Sequence, residues 1–219
     1  MIIKVCGMRD ADNIRQIDEL RCVDWMGFIF YPPSSRNVEQ VPEYLPKHCK
    51  RVGVFVNATP EEIGQRQEVF DLNLIQLHGH ETPDYCQQLR QHLKAGTQLI
   101  KMIQIASPQD LENAAQYEGK VDYFLFETKC DSYGGSGKQF DWEILQHYKG
   151  LTPFLLTGGI GPNDTEKVRA FLKSQTSNLK PQTSQCIGID LNSRFEISPA
   201  LKDVQRLKDF IQIVQSINK

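Results

Sequence analysis

The chain has 219 residues, 40% of them hydrophobic, with 25 basic and 27 acidic residues and a formal charge of −2. That balance argues against a nucleic-acid surface or an anionic membrane as partner, and no apolar run reaches the ~18 residues that a membrane span needs. The opening MIIKVCGMRD runs straight into a strand pattern without a signal-peptide layout, and the six cysteines form no C-x-x-C pair, so the expectation is a cytoplasmic chain with reduced thiols and no zinc motif.

Eight short apolar runs recur: Ile2–Cys6, Trp25–Phe30, Arg51–Val56, Leu74–Leu77, Gln98–Ile103, Val121–Phe126, Pro153–Thr157 and Cys186–Asp190. Most are continuously apolar rather than alternating, as parallel strands covered on both faces are. Polar stretches with helical spacing lie between them. Asp10–Leu20 is the first. Thr59–Val69 opens Thr-Pro-Glu-Glu and Thr82–Leu93 opens Thr-Pro-Asp, each an N-cap followed by proline at the first helical position. Ser107–Tyr117 opens Ser-Pro-Gln-Asp and predicts the same kind of start. The last helix, Pro199–Ile217, carries Val204, Leu207, Phe210, Ile211, Val214 and Ile217 on one stripe.

Tyr31–Lys50 is irregular and holds four prolines, and Ser174–Gln185 has the polar composition of a surface connection. No linker interrupts the pattern, so residues 1–219 are expected to form a single domain. Eight strand-then-helix units predict an α/β fold, a (β/α)8 TIM barrel with right-handed crossovers, and the length suits the usual ~200–250 residues. A doubly wound open sheet is the alternative, because sequence does not show closure.

In such a barrel the C-terminal ends of the strands face the active site. Those ends supply Cys6-Gly7, then Ser34, Ser35 and Arg36 beyond strand 2, Asn57, Gln76-Leu77-His78-Gly79, Glu127, Gly158-Gly159, and Asp190 with Asn192-Ser193. Glu127 ends an apolar run and opens into a loop holding Gly134, Gly135, Ser136 and Gly137. Gly158, Gly159, Asn192 and Ser193 predict a phosphate site, with a short helix after strand 8 pointing its N-terminus at the anion. A tight turn alone would also explain the glycines; their pairing with the strand-8 end favours the anion.

Cys6 and Glu127 form a candidate base and acid, since a thiolate accepts a proton and a carboxylic acid donates one. Against this stand a small buried thiol and a surface ion pair. Arg36 is either a bidentate clamp for a carboxylate or a solvated loop charge. His78 is either a hydrogen-bond donor to a ligand or a structural histidine.

The strand-end segments resemble those of the phosphoribosylanthranilate isomerase family of tryptophan biosynthesis. They are KVCGMRDADNI from Lys4, GFIFYPPSSRNV from Gly27, VGVFVN from Val52, IQLHGHE from Ile75, FLFETK and YGGSGKQFDW from Phe124, LLTGGIGPNDTEKV from Leu155 and GIDLNSRFE from Gly188. The resemblance implies an Amadori rearrangement of a small phosphosugar, with Cys6 as general base and Glu127 as the acid that protonates the ring oxygen. It assigns substrate binding to Arg36, Gln76, His78 and Asp190, with Arg36 on the anthranilate carboxylate, and phosphate binding to Gly158, Gly159, Asn192 and Ser193. No metal or organic cofactor is implied, and the family includes monomers and homodimers.

Two departures stand out. The family has Asp where this chain has Glu127, and Asp-x-Ser-Ser-Gly-x-Glu where this chain has Asp190-Leu191-Asn192-Ser193-Arg194-Phe195-Glu196. The extra methylene at Glu127 predicts a slower isomerase. Two other functions compete. One is the same rearrangement on a histidine-pathway aminoribotide, disfavoured by Cys6 and by a single glycine-rich phosphate end. The other is a phosphosugar-binding barrel without catalysis.

Overall fold

The structure, a computed structural model, describes residues 1–129, 141–177 and 186–216, without the side chains of 176 and 177. Strands β1 (Ile2–Val5), β2 (Trp25–Phe30), β3 (Lys50–Phe55), β4 (Leu74–Leu77), β5 (Gln98–Ile105), β6 (Tyr123–Thr128), β7 (Phe154–Leu156) and β8 (Cys186–Leu191) pair in that order. All pairs are parallel, and β8 returns to β1 through Ile2–Gly188 and Lys4–Asp190. The sheet therefore closes, and the open-sheet alternative falls. Every expected strand is present, with ends within two residues of the apolar runs.

The strands are continuously apolar because they bury both faces. Val52, Val54, Leu74, Ile100, Met102, Leu125 and Leu155 fill the barrel. Val5, Phe28, Phe55, Ile75, Leu77, Phe124 and Phe126 belong to the larger core, packed with helix residues such as Ile14, Leu89 and Leu207.

Helices α1 (Ala11–Glu19), α2 (Pro60–Phe70) and α3 (Pro83–Arg90) start where the sequence places them. Asp10 caps α1, Thr59 forms a capping box with Glu62 on α2, and Thr82 caps α3. Helix α4 (Asp110–Ala115) differs. Ser107 is not its cap; the Asp110 carboxylate accepts from the N–H groups of Ala106 and Ser107 and from the Ser107 hydroxyl, and the helix begins at Asp110, two residues after Pro108.

Not every strand is followed by an α-helix. Residues 31–49 run as turns and bends apart from one bridge, Asn37 to Ile29, since the prolines remove backbone donors. The connection after β6 ends in a 3-10 helix, Trp142–His147. Helix α5 (Thr165–Ser177) takes in Ser174–Ser177, which composition had placed in a connection. Past β8, strands β9 (Glu196–Ser198) and β10 (Leu201–Lys202) form an antiparallel ribbon. The last helix, α6 (Val204–Gln215), consequently starts at the Asp203 cap and not at Pro199. Cys130, Asp131, Gly134–Gly137, residues 178–185 and Ile217 lie outside the described residues.

Candidate active site

Lys4 and Cys6 are two residues apart at the end of β1, so both side chains turn into the barrel. The Cys6 N–H donates to the Leu191 carbonyl (2.9 Å), which ties the end of β1 to β8. A side chain at Gly27 on β2 would put its Cβ 2.8 Å from Cys6 Sγ, so that glycine makes room for the thiol. Lys4 is fully buried and its ammonium lies 2.8 Å from Asp190 Oδ2, its register partner on β8. Burial alone would pull the Lys4 ammonium down, but Asp190 and Cys6 outweigh it and hold its pKa up. Burial pushes the Cys6 thiol above its ordinary value and Asp190 adds to this, while Lys4 and Lys202 pull against them.

Two acceptors at the floor of the barrel mouth, Asp190 Oδ1 and Gln76 Oε1, are buried without a hydrogen-bond partner among the described residues. Such atoms call for donors. Glu127 is the penultimate residue of β6, inside the strand rather than after it. Its Oε2 lies 3.2 Å from His78 Nε2, and His78 Nδ1 lies 3.0 Å from Gln76 Nε2.

On the β7 side, Gly158 and Gly159 have φ of +92° and +67°, which L side chains rarely adopt. A Cβ on Gly158 would meet the Thr128 backbone N at 2.9 Å. Asn192 and Ser193 follow β8. The short helix expected there is a three-residue 3-10 turn, Ser193–Phe195, so its dipole is that of one turn.

These groups share one cleft at the C-terminal ends of the strands. Cys6 and Glu127, then Gln76, His78 and Asp190, and finally Gly158, Gly159, Asn192 and Ser193 all line it. Ile29, Tyr31, Val54, Leu125 and Ile160 add an apolar flank that strand-end reasoning missed. Tyr31 directly follows β2, so its position was the available signal. The flank suits a flat apolar group, and the polar side suits hydroxyls and an anion.

Arg36 does not line this cleft. It gives Nε and Nη2 to Glu196, at 2.8 and 2.6 Å. It is therefore neither an unengaged clamp nor a solvated charge. Glu196 also accepts from Lys202 Nζ (2.6 Å), which reaches Asn192 Oδ1 as well (2.7 Å). Asn57 braces loops instead: its N–H donates to Glu81, and its Oδ1 accepts from the His80 N–H.

Fold and cleft together define an enzyme of the (β/α)8-barrel class, with acid–base groups and a glycine turn at one barrel mouth. The family model described as "N-(5'phosphoribosyl)anthranilate (PRA) isomerase" matches residues 3–213. The N-(5'-phosphoribosyl)anthranilate isomerase of Phocaeicola vulgatus is 50% identical over 218 residues, spanning 99% of this chain and 100% of the relative. The crystal structure of phosphoribosyl anthranilate isomerase from Thermotoga maritima is 30% identical, with a TM-score of 0.78 over 99% of this chain and 100% of that one. Another phosphoribosyl anthranilate isomerase, solved with reduced 1-(o-carboxyphenylamino)-1-deoxyribulose 5-phosphate, has 27% identity and a TM-score of 0.75 over 99% of this chain and 100% of that one. The chain belongs to the phosphoribosylanthranilate isomerase family.

Proposed function

We propose that this cleft converts N-(5'-phosphoribosyl)anthranilate to 1-(2-carboxyphenylamino)-1-deoxyribulose 5-phosphate. The observation that carries the reading is the convergence of the Cys6 thiol from β1 and the Glu127 carboxyl from β6 on one cleft, beside an apolar flank and a glycine turn. Glu127 gives its proton to the furanose ring oxygen, and the C1–O bond breaks. The anthranilate nitrogen supplies the electron pair, leaving a protonated Schiff base. The Cys6 thiolate then takes the C2 proton. The resulting enolamine tautomerises to the ketone as C1 gains a proton. The substrate's own nitrogen thus donates electrons in ring opening and, as the protonated Schiff base, becomes the electron sink when C2 loses its proton.

Gln76 Oε1 and Asp190 Oδ1 take donors of the substrate, and the phosphate sits between Gly158-Gly159 and Asn192-Ser193. Among the described residues no helix is long and apolar enough to cross a membrane. Tryptophan biosynthesis implies a cytoplasmic enzyme, as a monomer or homodimer. Loss of anthranilate fluorescence with freshly made substrate tests the reading: turnover supports it. Tight binding of the reduced product analogue with no turnover would make the chain a binding barrel instead.

A further inference from the structure

Lys202 is 1% exposed, yet it comes from β10, outside the barrel. Its backbone is clamped by one side chain of α1: its N–H donates to Asn13 Oδ1 (2.8 Å), and its carbonyl accepts from Asn13 Nδ2 (2.9 Å). The ammonium then donates to Asn192 Oδ1 (2.7 Å) and to Glu196 Oε1 (2.6 Å). Burying a lysine in this way is costly, and an apolar pair would serve stability as well or better.

An ammonium only donates. Its contact therefore fixes which end of the Asn192 amide faces it, and the amide N–H groups are left to the cleft that Asn192 lines. Glu196 meanwhile accepts from Nε and Nη2 of Arg36, which leaves the Nη1 edge of the guanidinium for another partner. Arg36 and Lys202 carry two positive charges against one on Glu196, so the cluster stays net positive beside the cleft. The neighbouring Lys4–Asp190 pair adds no net charge.

We propose that Lys202 is a positioning residue for anion recognition: it turns the Asn192 amide donor to the cleft and, through Glu196, holds Arg36. The inference rests on the isomerase reading for its ligand. Its probe is reduced 1-(o-carboxyphenylamino)-1-deoxyribulose 5-phosphate, whose affinity is measurable without turnover.

Three variants test it in the full chain. Lys202→Met should weaken analogue binding and raise KM roughly 10- to 100-fold, the range expected for lost or orphaned hydrogen bonds, while kcat falls much less. Lys202→Met/Glu196→Gln takes away the charge that Lys202 balances and leaves Arg36 a neutral acceptor, so it should recover part of the lost thermal stability but not the parent's affinity. Asn192→Asp keeps the Lys202 contact and places an oxygen where the amide donor faces the cleft, so it should bind the analogue at least ~10-fold more weakly. A stable double variant, or Asn192→Asp, with the parent's affinity would overturn the proposal, as would a parent that does not bind the analogue. A parent that binds without turnover sinks the isomerase reading alone, and the affinity series still decides the role of Lys202.

Discussion

Glu127 Oε2 sits 3.2 Å from His78 Nε2, and the far nitrogen of that ring is 3.0 Å from the Gln76 amide nitrogen. An amide nitrogen donates, so Nδ1 is the acceptor and the ring proton lies on Nε2, toward the carboxylate. Gln76 and His78, at the end of β4, thus hold the carboxyl group that β6 carries. The Glu127 side chain is only 13% exposed, which removes the reading of a solvated surface pair.

Replacing Glu127 by Gln keeps the shape and a hydrogen bond but no transferable proton. Turnover is expected to fall by ~100-fold or more, with the affinity for the reduced product analogue little changed. Glu127→Asp shortens the side chain by one carbon–carbon bond, roughly 1.5 Å, and restores the family's acid; kcat is expected to rise. Steady-state kinetics on the two variants decide the matter. A Gln variant as fast as the parent would show that Glu127 is not the acid.

Cys6 is predicted to give the reaction an alkaline dependence. Its thiol pKa is raised by burial, with Asp190 adding to the effect, against the pull of Lys4, Lys202 and the nearby Arg36. A raised pKa keeps the inactive, protonated form to higher pH. So kcat/KM should climb from neutrality upward, through and beyond the ordinary thiol value of ~8.5. Cys6→Ala should lose that limb and ~10²–10⁴ of turnover while still binding the product analogue. A pH profile unchanged by Cys6→Ala would exclude the thiol as the base.

The barrel was legible because its strands bury both faces, and apolar runs such as Trp25–Phe30 mark strands whatever lies between them. The Thr-Pro starts of α2 and α3 were legible because a cap is a local interaction. Ser107-Pro108 misled for the opposite reason: Asp110 reaches back and takes the Ser107 hydroxyl as a donor, together with the N–H groups of Ala106 and Ser107. The strand-end rule found the cleft because strand direction sets what faces the barrel mouth. It did not show what holds Arg36, since its partner Glu196 is 160 residues away in sequence. It also missed the apolar flank, because an aromatic such as Tyr31 has the same composition in a core as in a site.

Gly159 is predicted to be indispensable for phosphate. Its φ of +67° is a strained setting for a β-branched residue, and any relief moves the glycine turn at which the phosphate is proposed to bind. Gly159→Val should therefore abolish inhibition by inorganic phosphate and raise KM far more than it lowers kcat. Phosphate bound elsewhere in a soaked crystal, with this turn empty, would contradict the assignment.

Asp18 on α1 is predicted to hold the segment that stands in place of a helix between β2 and β3. With no helix there, the N–H groups of that segment need other acceptors. The fully buried Asp18 carboxylate accepts from the Tyr44 hydroxyl (2.8 Å) and from the N–H groups of Lys47 (2.8 Å), His48 (3.0 Å) and Cys49 (3.2 Å). Burial alone would raise its pKa, but these hydrogen bonds outweigh burial and hold the carboxyl below its usual value. A depressed carboxyl pKa stabilises the folded state above the unfolded value of ~3.9, and the contribution is lost as pH falls toward the folded value. Asp18→Ala strands the buried Cys49 N–H at about 1–3 kcal/mol and gives up the part-buried bonds from Lys47 and His48, so at least about 1 kcal/mol is expected. For a chain of this size that lowers Tm by at least roughly 2–4 °C. The cleft is untouched, so kcat and KM should hold at temperatures where the variant is folded. Urea unfolding at neutral pH and at acid pH measures both parts: the gap between parent and variant should be largest near neutrality and close as pH drops below about 4. Equal stability at pH 7, or a gap that does not narrow in acid, would show that Asp18 does not anchor this segment through its charge.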